Sequence, residues 1–212
     1  MSQVVPTYSA AQVRAAEAPL LATGVPLMRR AAAALASVVA ELAPARLLVL
    51  AGAGDNGGDA LFAAADAASR GVHVDVLRTA DRVHQTAWAA AIQAGAHETA
   101  MVDAEYDLVL DGILGIGARG GLRGRAREVV ASLVSAAPRT VAVDLPSGLD
   151  PDDGTTDGVV LSAETTVTFG AVKSGLVRGS GRELAGRIVL VELGLELRDP
   201  VGSAEIAEIR TG

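Results

Sequence analysis

The chain has 212 residues, half of them apolar, with 24 glycines, which suits one α/β domain with a full core. A net charge of −7, with no basic run, argues against nucleic-acid binding by phosphate neutralisation, and the absence of cysteine excludes disulfides, thiol catalysis and thiolate metal sites. No apolar run approaches the roughly 20 residues that span a bilayer, and no basic segment leads into an apolar core at the N-terminus, so a cytoplasmic protein without membrane contact is expected.

In chain order, Ser9 is placed to cap a helix from Ala10 to about Ala22, which Gly24 ends, and Pro26 opens a second helix reaching about Leu42. From Arg46 short apolar runs alternate with helices. Arg46 to Ala51 reads as a first strand, Gly58 to Arg70 as a helix closed by Gly71, and His73 to Leu77 as a second strand. Asp81 is expected to cap a helix from about Arg82 to Ala94, with Gly95 stopping it. His97 to Val102 and Tyr106 to Leu110 read as the third and fourth strands, Gly124 to Ala136 as a helix, and Thr140 to Val143 as the fifth strand. Glu164 to Thr168 and Arg187 to Glu192 add two strands on the far edge, and the polar stretch Gly194 to Gly212 reads as a mobile tail or the start of a linker. The alternation predicts a single domain over residues 1–212: α/β, with a doubly wound, mostly parallel Rossmann-like sheet and helices on both faces.

Three turns at predicted strand ends carry chemistry. After the first strand, Gly52, Gly54 and Gly57 fit G-x-G-x-x-G, but the loop also holds Asp55, Asn56 and Asp59, acids that a bare pyrophosphate cradle should avoid. They point to a cation or a sugar hydroxyl beside a nucleotide. After the fourth strand, Asp111 opens a second glycine-rich loop running to Gly124, where Arg119 and Arg123 suit a phosphate. After the fifth, Asp144-Leu145-Pro146-Ser147-Gly148 forms a tight turn with no nucleophile elbow, so Ser147 fits an oxygen ligand for a hard cation beside Asn56 and Asp111. In the strand order 3-2-1-4-5 these three turns share one crevice at the switch point. Asp144, ending a buried strand, is suited to proton transfer. Lys173 is the single lysine against 17 arginines, either retained by chance in an arginine-biased chain or kept for what arginine does not do, giving up a proton or fitting a small pocket. His73, His84 and His97 fall outside the glycine loops and read as structural or surface residues, and Trp88 with two phenylalanines is too little for base stacking.

These motifs resemble a known family. Gly52-Ala53-Gly54-Asp55-Asn56-Gly57-Gly58-Asp59-Ala60 is similar to the G-x-G-N-N-G-G-D-G loop of the NAD(P)H-hydrate epimerases, the YjeF N-terminal domain family. Asp111-Gly112-Ile113-Leu114-Gly115 resembles its D-A-[IL]-[FL]-G turn, and Asp144-Leu145-Pro146-Ser147-Gly148 its D-[IL]-P-S-G turn. Leu27-Met28-Arg29-Arg30-Ala31 and Thr168 to Lys173 are similar to its early helix and its late strand ending in lysine. The similarity runs over roughly residues 8 to 195. It implies an isomerase that interconverts the R and S epimers of hydrated NADH and NADPH for a partner dehydratase, fused or acting in trans, and it implies a homodimer. By position it implies a potassium ion on Asn56, Asp111 and Ser147. It implies nucleotide contacts from Asp55, Asn56, Gly57, Gly58 and Asp59, from Gly115, Ile116, Gly117, Ala118, Arg119, Gly120 and Gly121, and from Asp144. Asp144 would then transfer the proton, with Lys173 as a helper. Two departures stand out: Asp55 replaces the family's first asparagine, and Ala60 its last glycine. The competing reading is a non-catalytic nucleotide-binding or scaffold module of the same fold. A hydride-transferring dehydrogenase fits poorly, because Asp75 lies inside the second strand rather than at its end, and a P-loop kinase is excluded because no G-K-[ST] follows the glycines.

Overall fold

The computed structural model describes residues 3–102, 105–117 and 120–212. The chain runs β1 (Gln3–Tyr8), α1 (Ala10–Ala22), α2 (Leu27–Leu42), β2 (Arg46–Ala51), α3 (Asp55–Ser69), β3 (His73–Arg78), α4 (Gln85–Gln93), β4 (His97–Thr99) and β5 (Leu108–Gly112). It continues through α5 (Gly124–Val134), β6 (Thr140–Val143), β7 (Thr165–Phe169), β8 (Val172–Lys173), a 3-10 turn (Ser174–Val177), α6 (Gly181–Leu184), β9 (Arg187–Glu192), β10 (Gly202–Ile206) and β11 (Glu208–Thr211).

Eight strands form one sheet in the order β11-β9-β7-β6-β5-β2-β3-β4, and every pairing in it is parallel. β2 through β6 thus take the expected order 3-2-1-4-5. The central strands are continuous apolar runs because both faces are covered: Leu47, Leu48, Val49 and Leu50 have no solvent exposure. Helices α2 and α3 pack on one face with β2, β3 and β6, while α5 covers the other through Ala126, Val130 and Leu133. The register sets Ala51 beside Gly112, and Asp111 beside Ala142, so the chain leaves β2, β5 and β6 from adjacent points.

Several boundaries differ from the expectations. The first helix is capped as read: Ser9 and Gln12 bond each other's backbone N–H. Pro26 is the N-cap of α2 rather than its first residue. α3 begins at Asp55, inside the glycine loop, so Asn56 to Asp59 are helical. α4 starts later than expected and is capped by His84, whose Nδ1 accepts from Ala87 N at 3.2 Å, and not by Asp81. Val83, ahead of the helix, is buried in the core. The third predicted strand stops at Thr99.

The largest correction is at the termini. The tail expected to be mobile from residue 195 folds into β10 and β11. β10 pairs antiparallel with β1, and β11 adds to the large sheet beside β9. Alternation explains the misreading: only Ala204 and Ile206 of β10 point inward, so the strand's composition is polar. β1 itself pairs on its other side with β8, placing Tyr8 beside Lys173 in a three-stranded sheet.

Candidate active site

The first two glycine loops are interlocked. A Cβ on Gly52 would stand 1.9 Å from the Ile113 carbonyl oxygen, and one on Gly57 would stand 2.2 Å from that of Gly52. Gly52 lets the two loops touch and Gly57 lets the first loop close on itself, whereas a Cβ on Gly54 would meet nothing within 4 Å. The departure at Ala60 has a packing partner. A Cβ on Gly112 would fall 2.4 Å from the Ala60 methyl, so alanine at 60 and glycine at 112 exchange places relative to the G and A of the pattern this chain resembles.

Asp111 is fully buried. Its Oδ1 accepts from Ser147 Oγ at 2.6 Å and from Ile113 N at 3.3 Å, and its Oδ2 accepts from Ser147 N at 2.8 Å. Leu114 N in turn donates to Ser147 Oγ at 2.9 Å. Burial pushes the Asp111 carboxyl up, with the Ser147 and Ile113 bonds working against that rise. Asn56 sits against the same loop: a Cβ on Gly115 would be 3.2 Å from its Oδ1. Among the described residues the buried Asn56 Nδ2 has no hydrogen-bond partner. Amide, carboxylate and hydroxyl oxygens are the donors a hard cation takes.

Asp144 has a left-handed backbone, φ 68°, at the end of β6, a strained conformation that aspartate tolerates better than most residues. Its Oδ1 accepts from Lys173 Nζ, from Thr168 Oγ1 at 3.3 Å and from Phe169 N at 3.3 Å. Lys173 is 1% exposed, and its ammonium also donates to Thr168 Oγ1 at 3.1 Å and Phe169 O at 2.8 Å, which uses all three donors. Asp144 Oδ2 accepts none of these bonds.

Two more carboxylates sense this pair. Asp59 is buried, and its Oδ1 has no hydrogen-bond partner among the described residues. Burial first, then the charges of Asp144, Asp55 and Glu17, hold it well above its ordinary value. Glu17 is half-buried on α1, one turn after the fully buried Val13. Burial raises it most, Lys173 opposes that, and Asp144 and Asp55 add to it. Arg14 on the same helix donates to the Ile116 carbonyl in the second glycine loop. Sequence reasoning passed over Glu17 and Thr168, since a lone glutamate on an alanine-rich helix carries no motif. Two signals found Lys173: it is the sole lysine of the chain, and it ends a segment that resembles the family's late strand.

Between the second and third loops opens a cleft of about 270 Å³, lined by Gly115, Gly120, Gly121, Leu145, Gly148 and Asp150 among others. Asp55 to Asp59 and Asp144 do not line that cleft; α3 and the Lys173 pair hold them separately. Ala118 and Arg119 lie outside the described residues. Asp75 bonds Arg46 at 3.0 Å near the start of β3, far from a ribose-binding position at a strand end.

The family model described as YjeF-related protein N-terminus matches residues 24–175. A relative from Microbacterium testaceum named NAD(P)H-hydrate epimerase is 60% identical over 204 residues, covering 91% of this chain and 80% of that one. A Mycobacterium tuberculosis relative named bifunctional NAD(P)H-hydrate repair enzyme Nnr is 43% identical over 202 residues, covering 90% of this chain and 42% of its own length. The crystal structure of yeast ynu0 (YNL200c) superposes with a TM-score of 0.72 at 18% identity, covering 82% of this chain and 84% of that one, which shows the shared fold. The chain belongs to the YjeF-related N-terminal domain family.

Proposed function

We propose that the chain is an NAD(P)H-hydrate epimerase, an isomerase that interconverts the R and S epimers of hydrated NADH and NADPH in nicotinamide nucleotide repair. The observation that carries this reading is the 60% identity, over 91% of this chain, to the Microbacterium epimerase. The reacting carbon bears a hydroxyl beside a ring nitrogen. A proton reaches that hydroxyl, the C–O bond breaks with its electron pair leaving on water, and the nitrogen lone pair forms a planar iminium. Water then adds to either face and returns a proton to the protein. No electrons are exchanged with a partner, so one carboxylate able to give and retrieve a proton suffices.

Asp144 takes that role through Oδ2, while Lys173 and Thr168 fix Oδ1 and Lys173 supplies the counter-charge. Asp55, Asn56, Gly57, Gly58 and Asp59 bind the nucleotide together with Asp144 and the loop from Gly115 to Gly121. The cleft between the second and third loops, lined by Gly115, Gly120 and Gly121, supports the part of that loop in the binding. Asn56, Asp111 and Ser147 would hold a potassium ion. Bound there, it supplies positive charge beside the buried Asp111 carboxylate and steadies the loops without competing for the proton. The chain works as a homodimer in the cytoplasm, alongside a dehydratase that consumes one epimer. The bifunctional name of the M. tuberculosis relative, more than twice as long as the stretch matched, supports a second catalytic unit of that kind.

Incubating the chain with one epimer of NADPH hydrate, and resolving R from S by chromatography, tests the reading. Exchange well above the uncatalysed rate is expected, and its absence overturns it. Asp144→Asn should slow exchange by about 10²–10⁴-fold, and near-normal exchange would remove Asp144 from proton transfer. NADP⁺ should raise the melting midpoint more in potassium than in lithium buffer.

A further inference from the structure

The amino ends of β3 and β4 lie at the opposite end of the parallel sheet from the glycine loops. His73 and Asp75 are two apart on β3, so they share a face, and the register sets His97 of β4 directly beside Asp75. Residues 22 or more apart in sequence thus meet on one patch. The His73 and His97 rings stack with centroids 5.5 Å apart and 19° between their planes. His73 Nε2 stands 3.3 Å from Asp75 Oδ2. One ligand atom from each of the three side chains lies within 4.8 Å of the other two. Both imidazoles are exposed, while Asp75 is buried.

We propose that His73, Asp75 and His97 form a binding site for a borderline divalent transition-metal ion, Zn²⁺ above all. Two imidazoles and a carboxylate are the donors such an ion takes, whereas Mg²⁺ and K⁺ favour all-oxygen sets. With Zn–N and Zn–O bonds of about 2.0–2.1 Å, tetrahedral ligands stand roughly 3.3 Å apart, and the His73–Asp75 pair already has that spacing. His97 closes the remaining gap by rotating an exposed ring, and water completes the shell. Arg46 Nη2 donates to the same Asp75 oxygen at 3.0 Å, and its guanidinium lies 5.1 Å from the Tyr106 ring centroid. That arginine orients the carboxylate, and its charge holds the affinity below that of a closed structural zinc site. The ion would clip the three-residue edge strand β4 to β3. The site stands apart from Asp111 and Asp144 and does not depend on the epimerase reading.

Calorimetric titration of the full chain with ZnCl₂, with MgCl₂ as control, tests this. One saturable Zn²⁺ per chain is expected, weakened at least about tenfold in His73→Ala and in His97→Ala and unchanged in His84→Asn, which keeps an N-cap. Cu²⁺ should show splitting from two nitrogens in its electron paramagnetic resonance spectrum, lost in the double alanine variant. Both imidazoles are at the surface, so metal-free melting midpoints of the variants should match the parent. No saturable Zn²⁺ binding, or binding indifferent to His73→Ala and His97→Ala, would overturn the proposal, the latter by placing the ion on the acidic loops.

Discussion

Asp111 and Asp144 end neighbouring strands, and both are buried, yet opposite means satisfy them. Among the described residues Asp111 receives only neutral donors: the Ser147 hydroxyl, the Ser147 N–H and the Ile113 N–H. Asp144 receives an ammonium, Lys173, in addition to a hydroxyl and an N–H. Neutral donors satisfy lone pairs but leave a negative charge uncompensated in a medium of low polarity. A carboxylate in that condition is where an added cation gains most, and one already paired with lysine gains little. Under the proposed function the two strand ends would divide the work by charge, the Asp111 side holding an ion and the Asp144 side a proton path. Asp59 is a third case, with neither a lysine nor, among the described residues, a donor on its Oδ1.

Removing the lysine should break this comparison most severely. Lys173→Met leaves Asp144 buried without its counter-charge and should cost about 3–5 kcal/mol, read as a lower midpoint in chemical denaturation. Adding Asp144→Asn should recover part of that loss, and an unaltered midpoint in the single variant would mean that the pair does not hold the charge balance. Ser147→Ala removes one donor from Asp111 and should cost about 1–3 kcal/mol, together with the potassium-specific part of the NADP⁺ stabilisation. Should that ion preference survive intact, Ser147 is no ligand.

Beneath Asp111 the packing offers a sharper test. Gly112→Ala drives a methyl into Ala60 and should cost about 1–3 kcal/mol. Ala60→Gly in the same chain should restore most of it, and additive losses would sink the idea that the two positions trade one methyl. The smallest effect concerns Asp59. Its folded-state pKa lies above the ordinary 3.8, so the folded chain holds this proton more tightly than the unfolded one. Its contribution to stability is therefore full below that ordinary value and falls away as pH rises through the raised one. Asp59→Asn should flatten the decline of melting midpoint with pH over that interval, whereas an unchanged slope would show Asp59 ionised in the folded chain.

Much of this was legible in the residues. Buried apolar runs marked the central strands, because a parallel strand covered on both faces needs little else. Glycines marked the loops, and the strand-end acids marked the candidate site. What escaped was whatever depends on a distant partner. β1 carries Pro6 and exposed residues and shows no strand pattern of its own, and it is β8 and β10 that flank it. β10 alternates so sparsely that it passed for a tail. Glu17 needed α1 to be docked before it had any charge to sense. His73 and His97 needed the register of an edge strand to meet.

The order of apolar runs and glycine turns was enough, by itself, to determine a parallel sheet with Asn56, Asp111, Asp144 and Ser147 near its carboxyl end. Burial and turn formation are local demands, and a local pattern can state them. Only the tertiary structure decided that Lys173 closes on Asp144 while Asp111 is left to neutral donors. That choice rests on β8 being held beside the first strand of the chain, a pairing of segments more than 160 residues apart that no local pattern specifies.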